Sequence, residues 1–413
     1  MALSERRGGI WSGRAGLMFF LAGMLVSNIG RSAYFVSIIW FVLMWTNSVR
    51  SVTALLLVST LAQFLSSGIS GFLADVTDRR HLSIGLDITR AFTVAMTGFS
   101  MMAGMGISAI YVLVAIFSIS DRGYLSAMQA LIPVLTCKDS AVGANSASYL
   151  MMQSGTFLGA VLSGFLLSFL PYGLAVSTLG IIFCSSAAIV LAMPIPSNVR
   201  GVNRKPNFQW KQFISIGGLR ESKLIVATFY YTLVFGVGIL INTLLAAYVV
   251  TEIKGDAVLF AQMESAWALG AVFVCLFLSI GVGAASKALD LTCCILMLGS
   301  GLILLWMFPA PLFVVITLVA LGGIYNLGRI SLDVQVQQTV NASLIGRTKG
   351  TINTVATGGG LVIFTLLGLV SDRLTSSSLF AYYGLFVVVV TVLLIVASSI
   401  RFRYHGSDES GEC

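Results

Sequence analysis

Gly71-Phe72-Leu73-Ala74-Asp75-Val76-Thr77-Asp78-Arg79-Arg80 is a short charged stretch between two long apolar runs. A glycine opens it, and two aspartates and a pair of arginines follow. Charge in so apolar a setting belongs at a membrane surface, where water can solvate it. The flanking runs then read as helices that cross a bilayer and turn back.

The rest of the chain has the same character. Its 413 residues are 57% hydrophobic and 10% charged, with a mean hydropathy of +0.96. Soluble domains carry about 25% charge. A spanning helix needs roughly 20 apolar residues, so a chain of this length holds roughly ten to fourteen of them. That leaves no room for a soluble enzyme domain. The net charge of +8 would suggest nucleic acid in a soluble protein. Here it reads as loop charge on one membrane face, and nucleic acid is not an expected partner. Cys184, Cys275, Cys293 and Cys294 fall in apolar runs, Cys137 lies near a helix end, and Cys413 is terminal. None has metal-ligand spacing, and no cofactor is expected. Arg6, Arg7 and Arg14 precede a long apolar run without a small-residue cleavage site. That pattern reads as an uncleaved first helix.

Twelve spans are expected, at approximately 15–45, 52–74, 83–107, 109–133, 142–169, 172–194, 222–250, 256–281, 287–308, 311–337, 347–370 and 378–400. Pro171-Tyr172-Gly173 and Pro309-Ala310-Pro311 mark tight turns. The one long connector, 195–221, contains Pro196, Arg200, Arg204, Lys205, Pro206, Lys211 and Arg220. It divides the chain into a six-helix unit at 1–194 and another at 222–400, followed by a tail at 401–413. With the N-terminus inside the cell, 17 basic residues fall on the cytoplasmic side and only Arg50, Lys254 and Arg373 on the other. The positive-inside rule therefore places both termini in the cytoplasm. A weak repeat supports two related halves: Gly155 and Gly164 recur as Gly359 and Gly368, and Arg122-x-x-Leu125 recurs as Arg329-x-x-Leu332.

The opening stretch resembles the loop between the second and third helices of the major facilitator superfamily, roughly G-x-L-A-D-x-x-G-R-R/K. Gly71, Leu73, Ala74, Asp75, Arg79 and Arg80 match, whereas Val76 replaces a basic residue and Asp78 the second glycine. The resemblance implies an all-α membrane protein of twelve helices in two pseudo-symmetric six-helix bundles. It implies a non-enzymatic secondary transporter working by alternating access. It also implies a latch role for Gly71, Asp75, Arg79 and Arg80. Gly71 would let the second helix approach a neighbour closely. Asp75 would face the N-terminal end of a helix in the other bundle. The arginines would bridge to acidic partners or anionic headgroups. The corresponding second-half stretch, Gly281 to Lys287, lacks the aspartate.

Ionisable groups at membrane depth are costly and mark function. Helix 1 carries Asn28 and Arg31 on one face, and helix 3 carries Asp87 and Arg90, which read as a structural pair near the cytoplasmic end. Asp121 and Arg122 on helix 4 diverge by about 100°. Each must find a partner on another helix or face a wet cavity. Glu264 lies on helix 8, and helix 10 carries a polar stripe of Asn326, Arg329 and Asp333. In the superfamily helices 1, 4, 7 and 10 line the central cavity, which makes Asn28, Arg31, Arg122, Asn326 and Arg329 substrate-cavity candidates. Asp121 is the leading proton-coupling candidate and Glu264 the second, since a carboxylate changes its proton affinity between dry and arginine-paired settings. Asp333 reads as a local ion pair with Arg329 or as a gate bridge. Tyr34, Phe35, Trp40, Tyr230, Tyr231 and Phe235 are aromatic wall residues on helices 1 and 7.

Helix 5 carries Gly155, Gly159 and Gly164, with Ala160 where family antiporters often place a proline. No phosphate-binding loop, nucleophile elbow or zinc motif occurs, so energy must come from an ion gradient or from the solute. Phe20 to Gly30, Leu327 to Val340 and Leu344 to Gly350 resemble the branch containing macrolide-efflux proteins and enterobactin-type siderophore exporters. That resemblance implies proton-driven export of a siderophore, antibiotic or related amphipathic metabolite from the bacterial cytoplasm, by a monomer in the inner membrane. Uptake symport of a small polar nutrient is the alternative, and a non-transporting sensor or lipid-handling protein is the third reading. The mixed charges fit a polar or zwitterionic solute.

Overall fold

The computed structural model describes residues 2–135, 141–194, 222–279, 291–339, 345–371 and 373–408. Twelve helices follow in chain order among them: α1 (Ala2–Thr46), α2 (Val49–Val76), α3 (Arg79–Met102), α4 (Ile107–Leu135), α5 (Ala141–Phe169), α6 (Tyr172–Thr178 continuing as Gly180–Ala192), α7 (Ser222–Tyr248), α8 (Ala257–Ser279), α9 (Leu291–Met307), α10 (Pro311–Thr339), α11 (Ile345–Val370) and α12 (Ser376–Asp408). Ten are long and apolar enough to cross a membrane, and α9 is a shorter apolar helix. The expected connector 195–221 and the Gly281 to Lys287 stretch lie outside the described residues.

The twelfth, α3, is polar where a soluble helix would be apolar. Its buried face carries Ser83, Asp87, Arg90, Thr93, Thr97 and Ser100, while Ile88, Phe92 and Phe99 are exposed. Lipid is as apolar as a leucine side chain, so polar contacts and close packing fasten helices there. The apolar face turns outward. That inversion accounts for the low apolar content of α3.

Helix α1 starts at Ala2 rather than near 15, and α12 runs through Asp408 into the expected tail. Three further boundaries depart from expectation for local reasons. Helix α3 stops at Met102 rather than near 107, because Gly104 takes φ +65° and α4 starts at Ile107. Helix α6 is interrupted at Leu179. Helix α7 runs into one π turn, Val249–Ile253, ended by Lys254 at φ 61°. Beside it the Glu252 carboxylate accepts a hydrogen bond at 2.9 Å from the Ser377 backbone N–H, which caps α12 with negative charge.

In the first half α1 packs on α5 and α6, α2 on α4, and α3 on α4 and α6. In the second, α8 packs on α10, α9 on α12, and α7 on α11. Between the halves, α5 lies against α8 and α2 against α11. The α1–α5 crossing depends on glycine. A Cβ on Gly155 would lie 2.8 Å from the Leu25 carbonyl oxygen, and one on Gly159 would lie 2.7 Å from the Ser32 Cβ. Ser32 Oγ donates to the Thr156 carbonyl at 2.8 Å and fastens the same crossing.

Candidate substrate cavity and its charged residues

The charges of the first half form one network. Asp87 and Arg90 pair on α3, both essentially inaccessible. Arg90 Nη1 also donates to Asp121 Oδ1 at 2.9 Å, and Nη2 donates to Ser27 Oγ at 2.8 Å. Ser186 Oγ donates to Asp87 Oδ2 at 2.8 Å. The other Asp121 oxygen accepts from Arg31 Nε at 3.1 Å. The Arg90 guanidinium lies 3.9 Å from the Tyr124 ring centroid and 4.9 Å from that of Phe183. Two acids therefore balance two arginines across α1, α3 and α4. A buried charge persists only when paired and hydrogen-bonded. The expected Asp87–Arg90 pair is present, as part of this larger cluster. Asp121 does find its partners on other helices.

The network reaches open space at Arg31, whose side chain is 38% exposed. Arg31 lines a cavity of about 280 Å³ that draws residues from both halves, including Gln63, Asn242, Glu264 and Tyr325. Phe35 and Phe235 supply aromatic wall. Glu264 sits roughly two turns from the start of α8. Its Oε1 is buried without a hydrogen-bond partner among the described residues. A larger groove of about 500 Å³ lies between α2, α3 and α4. Leucines, isoleucines and other uncharged side chains line it, so the smaller cavity is the chemical site.

The other expected residues are placed as follows. Asn28 donates to the Met24 carbonyl of its own helix at 2.8 Å and abuts Gly155 of α5, away from the cavity wall. Its expected cavity role is not supported. Arg122 is partly buried, its Nε has no partner among the described residues, and it is not a lining residue. Asn326 Oδ1 accepts from Tyr149 at 2.9 Å and from Gln153 at 2.6 Å, both on α5, so it ties the two halves together. The Arg329 guanidinium carbon lies 5.9 Å from the Tyr325 ring centroid. The side chains of Asp333 and Asp75 lie outside the described residues.

At the charged turn the described contacts of the arginines are local. Among the described residues, a Cβ on Gly71 would meet nothing within 4 Å. Arg79 donates to the carbonyls of Ala74 at 3.1 Å and Ala130 at 2.7 Å. Arg80 donates to the carbonyls of Val190 and Leu191. Both arginines thus satisfy helix C-terminal carbonyls of α2, α4 and α6, within their own half. Asp78 is the N-cap of α3, accepting from the backbone N–H of Arg80 at 2.9 Å and of His81 at 3.2 Å. Partial burial pushes its carboxyl up, but those N–H groups and the His81 imidazole outweigh that and hold it below the usual carboxylate range.

Sequence reasoning passed over Gln63, Asn242, Tyr149, Gln153 and Tyr325. The first two are isolated amides within apolar runs, and Tyr149 and Gln153 share one face of α5 at a four-residue spacing. Those signals were readable. What they touch depends on packing between the halves.

The family model of the Major Facilitator Superfamily matches residues 16–364. The chain belongs to the major facilitator superfamily. Solved structures agree on the fold. A mutant form of the nucleoside transporter NupG superposes with a TM-score of 0.73 at 12% identity over 92% of this chain and 99% of that one. A POT family transporter in complex with a thioalcohol-conjugated peptide superposes at 0.75 and 11% identity, over 93% and 96%. No curated protein sequence matches. The protein is therefore a multi-pass secondary active transporter of a small molecule, and not an enzyme. Identities this low speak for the fold and leave the cargo to the site itself.

Proposed function

We propose that this transporter exports a siderophore, antibiotic or related amphipathic metabolite by proton antiport, with Glu264 as the exchanging carboxylate. One observation carries the coupling: Glu264 lies in a cavity shared by both halves, with one oxygen unpartnered among the described residues. Asp121, the leading expectation from sequence, has both oxygens engaged by arginines. It serves as an anchor that holds Arg31 at the cavity edge. A carboxylate that gains and loses a proton needs freedom from fixed cations.

Export is supported by the resemblance around the first and tenth helices. The distribution of basic residues supports a bacterial inner-membrane setting with both termini in the cytoplasm. In this reading 1–194 and 222–400 are the two rocking bundles, 195–221 joins them, 401–413 is a cytoplasmic tail, and the transporter acts as a monomer. Asp75 serves the latch, while Arg79 and Arg80 stiffen the first bundle at that face.

Uptake symport of a small polar nutrient is the second reading. The cavity favours it, because about 280 Å³ is small for a drug-sized ligand. Comparing the metabolites of parent, deletion and Glu264→Gln strains separates the two. Export requires one metabolite of the parent medium to be lost from both other media and to accumulate in their cells. Identical media would refute it, and loss of uptake from supplied medium would install the symporter instead.

A further inference from the structure

We infer that the transported solute is a small zwitterion, whose ammonium group is received by Glu264 and Asn242 and whose acid group is received by Arg31. This rests on the transporter reading and names the substrate class of the same cavity.

Arg31 of the first half and Glu264 of the second line one cavity of about 280 Å³. They carry opposite charges, yet they are not paired with each other. Among the described residues the carboxylate within ion-pair distance of Arg31 is that of Asp121, reached through Nε at 3.1 Å. The remaining N–H groups of Arg31, on its terminal nitrogens, have no hydrogen-bond partner among the described residues. Its side chain is 38% exposed, so the open end of the fork is accessible where it lines the cavity. A guanidinium with free terminal N–H groups suits the oxygens of an acid group.

The second half supplies acceptors. Asn242 Nδ2 donates to the Gly238 carbonyl of its own helix at 2.6 Å. A carbonyl only accepts, so the amide nitrogen must take that side and the amide oxygen is the group left for another partner. Glu264 adds a carboxylate with one oxygen unpartnered among the described residues, and Phe235 adds aromatic wall. An ammonium group has only N–H donors to offer. A carboxylate, an amide oxygen and an aromatic ring are the groups that accept it.

Charge decides between the possible solutes. Asp87 and Asp121 balance Arg90 and Arg31, so the first-half cluster is neutral with its positive end toward the cavity. A solute that is only an anion would meet the Glu264 carboxylate, and one that is only a cation would meet the Arg31 guanidinium. Either repulsion is costly at membrane depth. A solute with an ammonium group at one end and an acid group at the other meets opposite charge at both. The volume is at the lower edge of ordinary ligand sites, which keeps the two ends close. Glu264 is stable as a carboxylate beside the ammonium and as a neutral acid without it. Solute and proton therefore compete for one group, which is what exchange requires.

The test is thermal unfolding of the purified full-length protein with glycine, γ-aminobutyrate or ε-aminocaproate. Each is compared with the amine and the carboxylate of the same chain length at matched ionic strength. At least one amino acid should raise the midpoint saturably by about 2 °C or more. Its half-saturating concentration should lie about tenfold below those of both single-ended probes. The advantage over the amine should vanish in Arg31→Gln, and the advantage over the carboxylate in Glu264→Gln. Where either variant does not fold, Asn242→Ala should weaken the amino acid and the amine alike and leave the carboxylate unchanged. The probe comparison on the native protein decides without any variant. An amine or a carboxylate that binds as well as the amino acid overturns the inference, as does no rise with any amino acid or an undiminished rise in Glu264→Gln. A titrating Glu264 would in those cases leave the transporter reading standing. Amino-acid binding that releases no proton into weakly buffered solution would do the reverse, keeping the solute class and removing Glu264 from the exchange.

Discussion

Asp121 and Glu264 are both carboxylates at membrane depth, yet the two halves of the molecule use them differently. Asp121 is clasped by Arg31 and Arg90 and belongs to a charge-balanced network with Asp87. Glu264 has a buried oxygen without a partner among the described residues and faces the shared cavity. The first arrangement holds helices together, because breaking any contact exposes a charge to a medium that cannot solvate it. The second leaves a group whose protonation can change without dismantling the fold. An ionisable residue inside a membrane signals cost, and its partners decide whether that cost serves structure or transport.

The largest effect should come from removing the centre of the fixed network. Arg90→Ala leaves Asp87 and Asp121 facing each other without their shared cation, at a cost of about 3–5 kcal/mol. Size-exclusion chromatography of a fluorescent fusion should show loss of folded protein. A normally folded variant with unchanged thermal stability would erase the contrast between the two carboxylates.

Next in size is Glu264→Gln. It keeps the shape and should keep the fold, while proton-coupled transport falls on the order of 100-fold. Asp121→Asn should show the reverse balance, with lower thermal stability and residual proton coupling. Arg31→Ala should be milder on stability, about 1 kcal/mol, because its side chain is partly exposed and Arg90 still holds Asp121. Its principal effect should be weaker transport of an anionic solute, read in a substrate-accumulation assay.

Much of this was legible before any coordinates. Runs of about 20 apolar residues and their breakers defined the helices, because a bilayer demands both. The Asp87–Arg90 pair was legible from its three-residue spacing on one helix. The network that recruits Asp121 and Arg31 was not, because it depends on how α1, α3 and α4 face one another. At the charged turn the motif gave residue types without their partners. A pattern of residue types cannot say whether an arginine meets a carboxylate or the carbonyl end of a neighbouring helix. Here the described contacts of Arg79 and Arg80 include carbonyls of α4 and α6. Asn28 shows the same limit, since helical spacing put it beside Arg31 while packing turned it toward Gly155.

The smallest effect belongs to a third kind of carboxylate, Asp78 at the membrane surface, which neither couples nor joins helices. Asp78→Ala should cost about 1 kcal/mol through the lost cap, less any compensation by water. Because the folded protein holds this carboxyl below the usual range, its contribution is present above the unfolded value of about 3.9 and fades as the pH falls through the lower folded value. Thermal midpoints of the native protein and Asp78→Asn should therefore converge below about pH 4. Parallel curves at every pH would show that the cap contributes through geometry alone.

Infrared difference spectroscopy of the membrane-embedded protein, as the bathing pH is stepped across the neutral range, tests the contrast most directly. If Glu264 is the exchanging carboxylate, a protonated-carboxyl band rises and falls with pH, disappears in Glu264→Gln and survives in Asp121→Asn. A titrating band that survives in Glu264→Gln and is lost in Asp121→Asn would give the exchange to the clasped carboxylate and contradict the division of roles.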